Sequence, residues 1–563
     1  MQNLHAIDLT VFVLYFLVLI AVGLVAGRHA GDSSEDYFLA GRSLPWYVVG
    51  ASFIGSNIST EHFIGMVGAA YVYGICVAQW EWGNLFAFSV LIWLFIPFLL
   101  ASRVFTAPEF LERRYNPTCR LLFALLTVVA NITAFLAAVL YAAALGLQEM
   151  FGWPLWVGVV VMAVTAGSYA IYGGLRSVAW TDLFQTVVMV LGGVLVTLLG
   201  LRALGDGAGV VAGWHTMIAR NLGHDGAWAA AVAASGKALL NGATYHRLDV
   251  FQPLIHPLVP WITIFTNWLA ISIWYNCINQ FMVQRVLAAK DDWQARMGIV
   301  LAMFMKIGLP FIVVIPGLIY FAMKPDLTDQ QQIDKTYAVL VTTLVHVGLK
   351  GLLLAALFGA IQSTVDSVLN STSTILTLDL YKKFLRPDVP KDALARLGRW
   401  LSAVVLLIAV LIAPQIGRLG QGVFVYIQNL YAHFAPPFAA LFLVGILWKR
   451  ATGKAAVWTI VTGIAFSVFL QYGVFERLTV PVAFTLRSSI TWLFCVLVHV
   501  FVSLGTAPPP AEKVTPDLTI DWSSIRLFDN LGTPWPRNLA LWYGVGAAGM
   551  VACYVAFSGL FLK

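Results

Sequence analysis

Fourteen stretches of about twenty predominantly apolar residues recur along the chain, near 7–27, 45–75, 77–102, 119–147, 155–175, 180–204, 256–288, 296–323, 349–381, 398–416, 421–447, 454–475, 479–504 and 538–561. Each is long enough to cross the hydrocarbon core of a bilayer as a helix. Lipid tolerates only backbone that satisfies its own hydrogen bonds. The expected fold is therefore an all-α polytopic membrane protein with about 14 transmembrane helices. Composition closes the alternatives. The chain is 60% hydrophobic and 11% charged, where a soluble domain carries about 25% charged residues. That excludes a soluble enzyme, a disordered chain and a secreted disulfide scaffold. The first stretch does not read as a cleaved signal peptide, because no Lys or Arg precedes it and its apolar run fills a whole span.

Loop charge gives the orientation. With the amino terminus outside, alternate loops are cytoplasmic and hold 22 of the 34 Lys and Arg, including Arg42, Arg114, Arg120, Arg285, Lys454 and Lys513. The net charge of +7 is thus read as basic residues retained in cytoplasmic loops, not as a nucleic-acid surface. Five widely separated cysteines (Cys76, Cys119, Cys277, Cys495 and Cys553) have neither zinc nor redox spacing.

Two spans are not plain helices. The second reads GASFIGSNISTEHFIG and the seventh NWLAISIWYNCINQ, both polar at mid-depth. They open two blocks of five spans each. Interrupted segments at matching places in two halves point to a central binding site, where freed carbonyls and helix ends meet a cavity. The expected organisation is one transmembrane domain over 1–563. It comprises an extra helix at 7–27, a first repeat at 45–204, a second at 256–447 and extra helices at 454–561.

A charged residue inside a span costs at least about 2.5 kcal/mol on insertion scales and marks function by default. Glu61, Glu81, Asp182, Lys306 and Asp366 are such residues. In the ninth span, IQSTVDSVLNSTST, Ser363, Asp366, Ser367 and Asn370 share one helix face, with Thr364 beside it. Hard oxygens of low total charge suit a small monovalent cation, although polar helix packing uses the same residues. Around the second span, His62, Glu81, Asn84 and Gln428 offer mixed donors and acceptors, and Trp274 and Tyr275 offer aromatic faces. Such a set fits a neutral polyhydroxylated ligand. An anionic ligand would call for an arginine fork, and no arginine is expected at mid-depth.

The stretch SSEDYFLAGRSLPWYVVGASFIGSNISTEHFIG, with YGGLRSVAWTDLFQ, NQFMVQRVLAAK and STVDSVLNSTSTILTLDLYKK, resembles the sodium/solute symporter family in its sodium/glucose branch, over roughly residues 7–475. The resemblance implies a LeuT-like core of two inverted five-helix repeats and alternating access driven by sodium. Carried over by motif, sodium would meet the carbonyls of Gly55, Ile58 and Ala360 and the hydroxyls of Ser363 and Thr364. A sugar would meet His62, Glu81, Asn84, Lys306 and Gln428, with Asn57 and Ser272 beside them and Tyr275 as an inner aromatic gate. Three positions depart from the family pattern. Ser272 replaces a more usual Asn or Thr, Asn276 replaces a bulkier aromatic, and Asp366 stands where a hydroxyl residue is usual. Asp182, Asp366 and Ser367 could form a second cation site, or Asp366 could be protonated or structural.

The resulting expectation is a non-enzymatic plasma-membrane symporter, of a bacterial inner membrane, for a glucose- or galactose-like hexose. Sodium is the coupling ion, as one ion or two, and the partners are a small neutral solute, sodium and lipid, without nucleic acid. The same scaffold admits myo-inositol or another neutral polyol. A membrane enzyme built on His62 or His433 lacks a converging nucleophile or metal set, and a non-transporting sensor is the third alternative.

Overall fold

A computed structural model describes residues 5–28, 33–59, 61–224, 226–416, 423–478, 482–520 and 533–561. All of the regular secondary structure named among them is helical. Eleven helices among the described residues are long and apolar enough to cross a membrane. The other expected spans are accounted for by two broken helices and by one fifty-residue helix, Leu155–Leu204, that bends in the middle. The bend falls at Gly174 (φ 57°, ψ −147°), where an added Cβ would lie 2.3 Å from the Tyr37 carbonyl oxygen. Only glycine supplies that backbone without strain, so the two expected spans 155–175 and 180–204 are separate helices joined without a loop.

The two interruptions fall where the sequence places them. Helix Trp46–Asn57 stops at Ile58, whose backbone is extended (φ −79°, ψ 118°), and helical structure resumes at Glu61. In the seventh span, wide i→i+5 turns over Trp268–Ser272 and Trp274–Ile278 end at extended Asn279 (φ −60°, ψ 126°) before helix Gln280–Leu287 begins. That span starts at Thr263; residues 256–262, expected within it, are loop. The chain between spans six and seven is also more ordered than a plain connection, with helices Val210–Leu222 and Gly226–Leu239.

Helix Leu349–Thr374 is the centre of the bundle, buried along nearly its whole length. It packs on Leu155–Leu204, Ala6–Gly27 and Trp46–Asn57. Trp46–Asn57 in turn lies against Asp292–Val313, where a Cβ on Gly50 would meet the Gly298 carbonyl oxygen at 2.5 Å. Small residues allow such close backbone approach, and membrane helices rely on it because lipid supplies little hydrophobic drive between them. The outer helices keep large apolar side chains on the surface, such as Leu17, Val164, Leu191 and Leu411, as a bilayer-facing belt.

Candidate functional site

One cavity gathers Asn57, His62, Glu81, Asn84, Ser272, Tyr275, Asn276, Lys306 and Gln428 with Met66, Trp80, Ile271 and Tyr431. The break at Ile58 and Ser59 places Asn57 and His62 on successive helix ends facing it. His62 Nδ1 accepts from the Ser59 N–H at 3.3 Å. Its Nε2 therefore carries the proton and donates to Glu81 Oε1 at 3.2 Å. The other carboxylate oxygen, Oε2, takes the Lys306 ammonium at 2.6 Å, and the same ammonium donates to Asn57 Oδ1. Glu81 and Lys306 thus form a neutral pair, and both side chains are buried.

On the facing side, Asn276 Nδ2 donates to Asn84 Oδ1 at 2.8 Å and to the Ser272 carbonyl at 2.9 Å. Its own Oδ1 has no protein partner and leaves an acceptor at the cavity wall. Tyr275 and Tyr431 stand 6.0 Å apart, centroid to centroid, as one aromatic face. Trp274, expected to present such a face, does not line the cavity. It packs behind it, edge-on to Phe434 at 4.9 Å and tilted on Tyr431 at 5.2 Å. One helical residue turned the other way suffices, since adjacent residues point about 100° apart.

Four lining residues were not anticipated, yet their spacing carries the signal. Met66 follows His62 and Tyr431 follows Gln428 by one turn, while Ile271 precedes Tyr275 and Trp80 precedes Asn84 by one turn. The Glu61 side chain lies outside the described residues.

A second polar cluster lies deeper, where helix Leu349–Thr374 meets Trp46–Asn57 and Leu155–Leu204. Asp182 Oδ2 accepts from Ser52 Oγ at 2.6 Å and Ser56 Oγ at 3.2 Å, and its Oδ1 from Ser363 Oγ. Arg285 Nη2 pairs with Asp182 Oδ2 at 3.2 Å, and Arg285 Nε donates to Ser52 Oγ at 2.8 Å. This corrects the loop assignment of Arg285: its side chain is 1% exposed, inside the bundle beside Asp182. Arg285 Nη2 also reaches Ser367 Oγ. Asp366 accepts from the Tyr169 hydroxyl at 2.6 Å and from Ser367 at 3.2 Å. The Thr364 hydroxyl is 3.4 Å from the Ala360 carbonyl, which places two of the proposed sodium oxygens side by side. Gly55 abuts Thr186 and Asp182. Gly55 and Ile58 sit at the end of helix Trp46–Asn57, where terminal carbonyls lack partners within the helix. The Gly55, Ile58 and Ala360 carbonyls and the Ser363 and Thr364 hydroxyls offer only neutral oxygens, a donor set suited to a hard monovalent cation. Among the described residues no cluster of His, Cys, Asp and Glu could hold a transition metal, and the cysteines are free.

Residues 37–463 match the sequence profile described as Sodium:solute symporter family. The chain is 37% identical over 525 residues to a sodium/glucose cotransporter of Vibrio parahaemolyticus, covering 90% of this chain and 92% of that one. It is 32% identical over 562 residues to a sodium/myo-inositol cotransporter of Bos taurus, covering 92% of this chain and 76% of that one. In three dimensions it resembles a substrate-bound, outward-open Na+-coupled sialic acid symporter, with TM-score 0.73, 20% identity, and coverage of 90% and 99%. It also resembles Mhp1, a nucleobase-cation-symport-1 family transporter, with TM-score 0.52, 14% identity, and coverage of 84% and 96%. These likenesses establish the LeuT-like fold.

Proposed function

The chain belongs to the sodium:solute symporter family, a multi-pass membrane transporter family, and from that premise we propose that it accumulates a neutral hexose, glucose- or galactose-like, by sodium-driven symport with alternating access. The observation that carries this reading is the cavity beside the first helix break. Its one acid and its one amine neutralise each other through Glu81 and Lys306. The wall that a ligand meets then carries amides and hydroxyls beside aromatic rings. A polyol whose every hydroxyl both donates and accepts fits that wall. A carboxylate substrate has no unpaired cation to meet it.

In the proposed cycle, sodium sits between the Gly55, Ile58 and Ala360 carbonyls and the Ser363 and Thr364 hydroxyls. It thereby joins the broken helix Trp46–Asn57 to the central helix, and its arrival orders the break that carries Asn57 and His62 at the solute. Tyr275 closes the inner side of the cavity. One ion moved inward across 100 mV releases about 2.3 kcal/mol, while a tenfold solute gradient costs about 1.4 kcal/mol. One sodium is enough for accumulation. The Asp182, Asp366 and Ser367 cluster was the place for a second ion, but the Arg285 guanidinium already supplies the positive charge at Asp182. We therefore propose one sodium per solute. The basic loops support an orientation with the amino terminus outside, the likeness to a bacterial cotransporter supports a bacterial inner membrane, and the solute crosses chemically unaltered.

The second reading, myo-inositol, rests on the relatives named for that solute. Proteoliposomes given labelled hexoses and inositol, with sodium or choline outside, test both. Sodium-dependent hexose accumulation is the expected result. Accumulation of inositol alone would assign the polyol, and sodium-independent flux would defeat the symport reading.

A further inference from the structure

A second cavity, which shares no residue with the solute cavity, opens where the turn between two of the last helices meets the chain leaving Phe484–Leu504. It is lined by Arg114, Tyr115, Thr452, Gly453, Lys454, Thr506–Pro510 and Lys513. Three of these residues are cationic and none is acidic.

Among the described residues, none of these three cations is paired with a carboxylate. Arg114 is 1% exposed, and its guanidinium donates only to carbonyls, those of Gly445 at 2.7 Å, Trp448 at 2.9 Å and Ala451 at 3.2 Å. Lys513 Nζ meets the Glu112 backbone carbonyl at 2.9 Å. The Glu112 carboxylate itself is committed to Arg120 at 2.6 Å and Lys383 at 2.5 Å. Lys454 is exposed and stands in the first turn of Gly453–Val468, whose amino end adds partial positive charge.

Exposed apolar side chains follow on the two helices that leave the cavity. One turn along from Lys454 is Trp458, 57% exposed, and then Val461, 52% exposed. On the neighbouring helix, Leu504 and Phe501 are 59% and 68% exposed. Cations at the helix ends, an interfacial tryptophan and two apolar stripes running away from them follow the outline of a phospholipid, headgroup first. Basic pockets between membrane helices on the cytoplasmic side are suited to anionic headgroups, and the loop charges place this end in the cytoplasm.

We propose that this cavity binds the phosphate headgroup of an anionic phospholipid, with Lys454 and Lys513 meeting the phosphate and the acyl chains lying along Trp458, Val461 and Phe501. Arg114 fixes the turn that shapes the pocket and adds field without moving.

The test uses the full chain purified and reconstituted in phosphatidylcholine nanodiscs, with and without phosphatidylglycerol. Binding is read by native mass spectrometry and by thermal unfolding. Phosphatidylglycerol should be retained and should raise the wild-type Tm. At about 1 kcal/mol per basic residue near the surface, or about five-fold each, K454Q/K513Q should weaken its retention by about 25-fold. The Tm of that variant in pure phosphatidylcholine should stay close to the wild-type value, since neither lysine is in an ion pair among the described residues and one bond from Lys513 to a carbonyl is all that is lost. Loss of equal size in K382Q/R386Q, at another basic loop, would overturn the proposal, as would undiminished retention in K454Q/K513Q. A matching Tm rise from inorganic phosphate alone would instead mark a soluble-anion site and defeat the lipid assignment.

Discussion

Lys306 Nζ and Glu81 Oε2 lie 2.6 Å apart inside the bundle, with both side chains 2% exposed. Each is the other's neutralising charge, and both border the same cavity. The pair therefore sets the net charge of that cavity at zero while leaving Glu81 Oε1 on His62.

Removing one member should cost more than removing both. Breaking a buried pair leaves an uncompensated charge and destabilises by about 3–5 kcal/mol. We expect E81A to lower the unfolding midpoint in detergent sharply and E81A/K306A to recover part of the loss. E81A should also weaken solute binding more than sodium binding, measured by titration with each. An additive double variant would separate the two residues energetically.

The hydroxyls of Ser363 and Thr364 are the proposed sodium contacts most open to substitution. S363A/T364A should abolish sodium-driven accumulation while the purified protein keeps its helical circular dichroism and elutes as a folded species. Wild-type accumulation in this variant would place the ion elsewhere.

Arg285 and Asp182 predict a second non-additive pair. R285M strands a carboxylate among Ser52, Ser56 and Ser363, and a loss of about 3–5 kcal/mol is expected. R285M/D182N removes both charges and should return much of it. A double-mutant cycle on thermal stability measures the coupling directly.

The loop before the seventh span predicts a pH dependence. Burial pushes His256 down to about 4. Its Nδ1 accepts from the Leu258 and Val259 N–H groups at 3.2 and 3.0 Å. Its Nε2 faces Tyr245, whose hydroxyl donates to the Tyr73 carbonyl at 2.6 Å. When the loop opens, His256 returns to about 6.5. Between those values the open form binds more protons, so closure weakens as pH falls from about 6.5 towards 4 and levels off below. Corrected for the intrinsic rate, amide exchange over 245–260 should quicken across that window, and H256Q should flatten the response.

Much of the fold was legible because the bilayer makes sequence errors expensive. An apolar run of twenty residues has few other solutions, and a polar break such as Ile58–Ser59 or Asn279 survives only where a cavity or ion receives it. The same cost made Glu81, Lys306 and Asp182 stand out singly. Tyr431 and Met66 were missed since an apolar or aromatic residue in a span carries no such penalty.

By itself, then, the sequence determined that this is a helical membrane protein and where two helices break, since both follow from the price of polarity in hydrocarbon, while its resemblance to a transporter family implied which polar side chains meet at a cavity. Only the tertiary structure decided how the charges are paired. Arg285, near a span end in the sequence, reads as a loop residue until Asp182, 103 residues earlier, is seen beside it. Tertiary packing likewise turned Trp274 behind the cavity and brought Arg114 to three distant carbonyls. A buried cation is stable only with a partner, and no local pattern reveals a partner that the fold delivers from another helix.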